Sequence, residues 1–166
     1  MNKQCRLILV LFLVVIVGFI FTGCAGNCGY ERGARVTPAF VAASGAKIYV
    51  HPPKDQTLSC WMETYIDMEL EHLGFTIVED SRNCDLLAYY TYSYDWTEPS
   101  YIRDFMIVFK PYPGDQPALL ASASCYHRCS SSFTHAGGEL EVHNAFSALR
   151  EEFNAMAKTN HKDSWD

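Results

Sequence analysis

From Asp85 to Trp96 the chain places Leu86, Ala88, Tyr90, Tyr92, Tyr94 and Trp96 at every second position. Side chains alternate between the two faces of a strand, so this run sends one apolar, aromatic column to one side of a sheet. Tyr89, Thr91 and Ser93 then take the other side. A strand of this length needs partners, and the sequence supplies them next. A second strand is expected from about Tyr101 to Lys110, the stretch Pro111 to Pro117 (PYPGDQP) reads as a hairpin turn, and a third strand follows over Ala118 to His127.

Helical periodicity flanks this meander. Lys47 to Val50 reads as a short strand stopped by Pro52 and Pro53. Ser59 is placed to cap a helix from about Cys60 to Leu73, in which Met62, Ile66, Leu70 and Leu73 share one face and Gly74 ends it. A right-handed crossover through that helix returns Phe75 to Glu79 as a strand parallel to the first. A last helix carries Val142, Phe146, Leu149, Phe153 and Met156 on one stripe. Two amphipathic helices cannot cover both faces of such a sheet. The expected fold class is therefore α/β (α+β): a two-layer sandwich, a mixed sheet of about five strands with two helices on one face, in the order β-α-β-β-β-β-α. The other face, with Tyr89, Thr91 and Ser93 and with Ser122, Ser124 and Tyr126 or their alternates, is a candidate contact face.

The first residues do something else. Leu7 to Phe21 form an apolar run of about 15 residues behind Lys3 and Arg6, too short for the roughly 20 that a membrane span needs and suited to the core of a signal peptide. The division expected is 1–23 signal peptide, 24–46 an N-terminus and flexible tether, 47–158 the sandwich domain and 159–166 a tail. The formal net charge of −6 deepens to −8 without Lys3 and Arg6, which leaves no basic patch for nucleic acid. The whole chain is 49% hydrophobic and 14% aromatic, ample material for a core. Arg32 and Arg35 in the tether are within reach of lipid head groups, but two charges are most simply solvated.

Phe21, Thr22, Gly23 and Cys24 close the apolar run. They are similar to the lipobox of bacterial lipoproteins. The resemblance implies cleavage before Cys24 and acyl chains on that cysteine, which would hold the domain at a membrane without a spanning helix. Ala25 stands where an inner-membrane retention signal would place Asp, so the resemblance implies an outer-membrane anchor facing the periplasm. With its β-α-β-β-β-β-α order, the chain loosely resembles the small α/β-sandwich lipoproteins of the bacterial envelope. That group includes lipopolysaccharide-assembly, ABC-transporter auxiliary and secretion lipoproteins. The implication is a non-catalytic assembly, scaffold or interaction factor with an envelope protein or glycan as partner and no cofactor.

Seven cysteines invite further readings. With Cys5 in the signal and Cys24 acylated, Cys28, Cys60, Cys84, Cys125 and Cys129 remain, an odd number in an oxidising compartment. The topology expected above puts Cys60 and Cys84 at one end of the sheet, making them a candidate disulfide worth about 3 kcal/mol. The pairing of Cys28, Cys125 and Cys129 stays open. On a strand Cys125 and Cys129 stand about 13 Å apart, and their spacing is not that of a structural zinc site. No nucleophile elbow, metalloprotease helix or phosphate-cradling loop is present. Two alternatives remain beside the interaction factor. One is a periplasm-facing enzyme built around His127, Cys129 and His135. The other is a small-ligand or glycan binder using Tyr90, Tyr92, Tyr94 and Trp96.

Overall fold

A computed structural model describes residues 29–53, 59–95, 98–114, 118–127 and 139–162. Its elements are β1 (Tyr30–Val36), α1 (Pro38–Ala42), β2 (Lys47–His51), α2 (Ser59–His72), β3 (Thr76–Ile77), a 3-10 turn (Ser81–Asn83), β4 (Leu86–Asp95), β5 (Glu98–Pro111), β6 (Ala121–His127) and α3 (Glu139–Lys162). The strands form one mixed sheet in the order β1-β6-β5-β4-β2-β3. β2 runs parallel to both β3 and β4, and the remaining pairs are antiparallel. The helices pack on one face, so the architecture is the expected two-layer α/β sandwich, with six strands in place of five and with α1 in addition.

The core forms where the inward columns of the strands meet the helices. Leu86, Ala88 and Tyr90 of β4, Phe105, Ile107 and Phe109 of β5, and Ala121 and Ala123 of β6 are buried against Met62, Ile66 and Leu70 of α2 and Val142, Phe146 and Leu149 of α3. The two alanines of β6 leave room for α3 to pack closely over that part of the sheet. Gly74 ends α2 at φ +88°, with Phe75 N–H donating to Leu70 O and Gly74 N–H to Glu71 O. These are the bonds of a Schellman C-cap, which a glycine reaches without strain.

Two expectations are corrected. The segment 24–46 is not a tether throughout, because residues 30–36 are an outer strand of the sheet and 38–42 a short helix. β1 escapes a period-two reading because one inward position, Arg32, is charged. Its guanidinium donates to Ser147 Oγ (2.8 Å) and Glu151 Oε1 (2.9 Å) on α3 instead of reaching lipid. Pro38 opens α1 behind a Thr37 cap, whose hydroxyl accepts from Phe40 N–H and donates to Leu120 O. α1 drives Phe40 into the core, where its ring lies 5.1 Å from Phe75 and 4.9 Å from Phe109. At the other end, α3 continues to Lys162, beyond the boundary expected at 158.

The Cys60–Cys84 bridge is the second correction. β3 is parallel to β2 as expected, but the next strand, β4, is parallel to β2 as well. The chain must therefore travel back from the end of β3 to the start of β4. Asp85 N–H donates to Lys47 O, and Lys47 N–H to Asp85 Oδ2, fixing Cys84 beside the start of β2. The C-terminal end of α2 lies there too, since Thr76 N–H donates to Ala46 O. Cys60 opens α2, a helix length of about 20 Å away. Cys84 is a free, buried thiol that donates to Ser81 O at 3.0 Å.

The β5–β6 turn folds onto the face opposite the helices. Gly114 has φ +84°, and a Cβ there would stand 2.7 Å from Leu87 Cδ1 and 3.2 Å from Tyr89 Oη. Gly114→Ala combines left-handed strain with a collision and is expected to cost about 2 to 4 kcal/mol. Gly33→Ala, whose Cβ would meet nothing within 4 Å, should stay within about 0.5 kcal/mol of wild type. Urea midpoints compare the two. Equal midpoints for both variants would mean that the turn does not rest on Leu87.

Candidate interaction surface

The face without helices is laid out in rows by the strand registers. One row runs Arg35, Ser122, Val108, Tyr89, His51, the next Gly33, Ser124, Met106, Thr91, and a third Glu31, Tyr126, Asp104, Ser93. The first row is internally engaged at Tyr89. Its ring stacks on His51 at 5.1 Å, and Lys110 Nζ lies 5.8 Å above it. Beside that row, Leu87 is buried beneath the Gly114 turn. The third row is engaged as well. A register shift between β4 and β5 leaves Arg103 with no residue opposite, a β-bulge that frees it to follow the surface. Arg103 then donates to Tyr126 Oη at 2.6 Å and covers the Tyr126 ring, while Ser93 Oγ donates to Asp104 Oδ2.

The middle row is different. Met106 is 47% exposed, with exposed Thr91 on one side and exposed Ser124, then Gly33, on the other. A flexible thioether standing above small neighbours is a projection that another surface can enclose. Of the three residues expected on this face, Thr91 is the openly exposed one, whereas Tyr89 and Ser93 are partly buried and held by the contacts just described. Met106 was missed. Its signal was present, since Phe105, Ile107 and Phe109 alternate inward and leave Met106 and Val108 on the outer side.

The alternative constellations fall elsewhere. His127 faces the helices, not the open face, and stacks on Tyr30 at 4.6 Å. Burial holds its pKa below the ordinary imidazole value. Cys125, two residues before it on the same side, has a thiol pushed up to about 12, first by burial and then by nearby Glu141. A protonated thiol beside a neutral imidazole is not an activated nucleophile pair. Cys129 and His135 lie outside the described residues, as do Cys24, Cys28 and Trp96. Tyr90 and Tyr92 point into the helix side of the sheet. Tyr90 is buried and donates to Glu63 Oε1 at 3.1 Å, so it lines no open pocket.

Two buried acids also went unread in the sequence. Glu69 is enclosed between α2 and α3, with His143 Nδ1 at 2.9 Å and Arg150 Nη1 at 3.1 Å. They stand in a cleft of about 260 Å³ that Tyr65, Met68, His72 and Glu139 help to line. Glu69 fits the buried stripe Met62, Ile66, Leu73, a spacing that could have revealed it. Glu141 is fully buried in the first turn of α3, in register with Ala145 and Leu149, and neither carboxylate oxygen has a hydrogen-bond partner. Burial pushes its pKa up to about 7.

No family model matches the chain, and no curated protein matches it. Among solved structures it is similar to a PelC dodecamer from Paraburkholderia phytofirmans, at 14% identity and a TM-score of 0.47, covering 73% of this chain and 97% of that one. A DUF4136 family protein from Bacteroides thetaiotaomicron is 9% identical with a TM-score of 0.46, covering 76% of this chain and 95% of that one. A PDZ domain protein from Parabacteroides distasonis is 13% identical with a TM-score of 0.38, over 78% of this chain and 36% of that one.

Glu141 makes stability depend on pH. Its acid is protonated in both states well below its ordinary value of 4.5. As pH rises toward 7 the unfolded chain sheds the proton while the folded one keeps it, so stability falls across that window and levels off above it. The full loss amounts to about 3 kcal/mol. Glu141→Gln should flatten this slope and be more stable than wild type at pH 8. Chemical denaturation at pH 4.5, 6 and 8 measures it, and parallel profiles for the two proteins would refute the assignment.

Proposed function

We propose that this chain is a lipid-anchored protein of the bacterial envelope whose domain binds another envelope protein through the open sheet face. The observation that carries the reading is the exposed Met106 between Thr91 and Ser124, on a face that no described helix covers. Monomeric domains usually cover or charge the centre of such a face. Here the charged residues sit to either side: Lys110 over Tyr89, and Arg103 and Asp104 beside Tyr126 and Ser93. That arrangement of an apolar centre within a polar rim suits a protein partner. A glycan platform would need exposed ring faces, yet Tyr89 and Tyr126 each already lie under a cation of the same chain. The anchor rests on Phe21 to Cys24 at the end of the apolar run, with Ala25 favouring the outer membrane.

Photo-crosslinking amino acids placed at Thr91 and at Met106 in living cells should each trap the same envelope protein. One placed at Glu71, exposed on α2, should not. Adducts from Glu71 with none from Thr91 or Met106 would move the site to the helical layer. Incorporation of a fatty-acid analogue tests the anchor separately: wild type should be labelled and Cys24→Ser should not, and equal labelling would overturn it.

A further inference from the structure

The first turn of α3 holds two acids with opposite surroundings. Glu139 is exposed and accepts the hydroxyl of Tyr65 on α2. Glu141 is fully buried beside Tyr30 of β1 and Cys125 of β6, and neither of its carboxylate oxygens has a hydrogen-bond partner. A neutral carboxylic acid tolerates such a place at moderate cost, whereas a carboxylate there forfeits its hydration with nothing in return. The N-terminal end of a helix favours negative charge, but that benefit is small beside the lost hydration of a buried ion. Ionisation of Glu141 therefore favours any state that returns it to water.

Among the described residues, each element packed on α3 brings its own ionisable groups to this end. β1 brings Tyr30 and Arg32, but the guanidinium of Arg32 is turned to Ser147 and Glu151, more than a helical turn further along α3. β6 brings Cys125 and His127, and β5 brings Asp104, which accepts from Ser93. Burial is the first cause that raises Tyr30 and Cys125 and lowers His127, so all three are held toward their neutral forms. α2 brings Tyr65 to Glu139, and Glu69 and His72 to the cleft with His143 and Arg150. α1 has no ionisable side chain. The smallest opening that frees Glu141 involves residues 139–141 alone, and it leaves Phe146, Leu149 and the Arg32 contacts in place.

We propose that the first turn of α3 is a pH-operated latch, closed over Cys125 and Tyr30 while Glu141 is protonated and swung out to water when Glu141 gives its proton to solvent, with the rest of α3 still docked. The closed form keeps the proton up to about pH 7 and the open form only to about its ordinary value of 4.5. Opening is therefore favoured as pH rises between those values and levels off above them. This goes beyond the pH dependence of global stability, because the sheet and the remaining turns of α3 stay folded. It does not depend on the open sheet face, and a failed latch would leave the crosslinks from Thr91 and Met106 unchanged.

Cys125, buried beside Glu141, reports the open state. The full chain in a nonionic detergent is treated with iodoacetamide, and peptide mapping follows Cys125. Dividing the rate by that of the urea-denatured chain at the same pH removes the titration of the thiol itself and gives a protection factor. From pH 5.5 to 8 this factor should fall roughly tenfold or more. At each pH it should stay well below the limit set by global unfolding, and it should be indifferent to about 1 M urea, since a one-turn opening exposes little surface. Backbone amides of His143, Asn144 and Ala145, whose helical bonds end on residues 139–141, should lose hydrogen-exchange protection over the same range while Leu149 keeps its own. Glu141→Gln cannot ionise, and both readouts should then change by less than about threefold. Cys125 protection that equals the global limit, or that falls as much in Glu141→Gln, would overturn the latch. Were that variant to fold poorly, the wild-type amides decide: exchange at 143–145 that keeps pace with Leu149 at every pH overturns it as well.

Discussion

Everything in this molecule is registered to the pairing of β4 with β5. From Leu86 opposite Pro111 to Ser93 opposite Asp104, that ladder decides which column of each strand meets the helices. A slip of one residue would carry Leu86, Ala88 and Tyr90 into water and put Thr91 in the core. β2 is added parallel on one side of the pair and β6 antiparallel on the other, so the inward set extends without interruption from Ile48 to Cys125. The bulge at Arg103 comes where the ladder loses this regularity. It gives the surface one arginine whose direction the alternation would not have set.

Much of this was legible because burial imposes periodicity. β4, β5, β6, α2 and α3 all show in their apolar spacing, and Gly74 marks the end of α2. What was illegible is what breaks the pattern. β1 hides an arginine on its inward side, and only α3, 115 residues away in sequence, supplies the partner that makes this tolerable. α1 has five residues, too few to show a helical period. The position of Cys84 depends on β4 rejoining the sheet beside β2, a long-range choice that no local pattern encodes. The candidate face was partly legible. Alternation places Tyr89, Thr91 and Ser93 there, but nothing local shows that His51, Lys110 and Asp104 engage two of the three and leave Met106 the most exposed large side chain of the middle row.

The buried acids divide by what they face. Glu69 sits between a histidine and an arginine of α3, an arrangement that links the helical pair by charge. Asp67, one helical step away from Glu63 and Glu71, has a carboxyl pushed up to about 6, by burial first and then by those two acids. Glu141 acts on both Tyr30 and Cys125, and burial is the leading cause that pushes its carboxyl up to about 7. The groups that share its pocket respond in the same sense: Tyr30 and Cys125 are both held toward their neutral forms.

The ordered β1 also changes what the proposed anchor would do. A tether running from residue 24 to 46 would let the domain wander tens of ångströms from a membrane. With Tyr30 already in the sheet, it stands six positions along the chain from Cys24, a reach of at most about 21 Å. On the proposed lipidation of Cys24, the β1 edge would be the part of the sheet held closest to the bilayer. The same short reach would keep β1 near the membrane, while the row of Met106 and Thr91, two to three strands inward, stays open to the proposed partner.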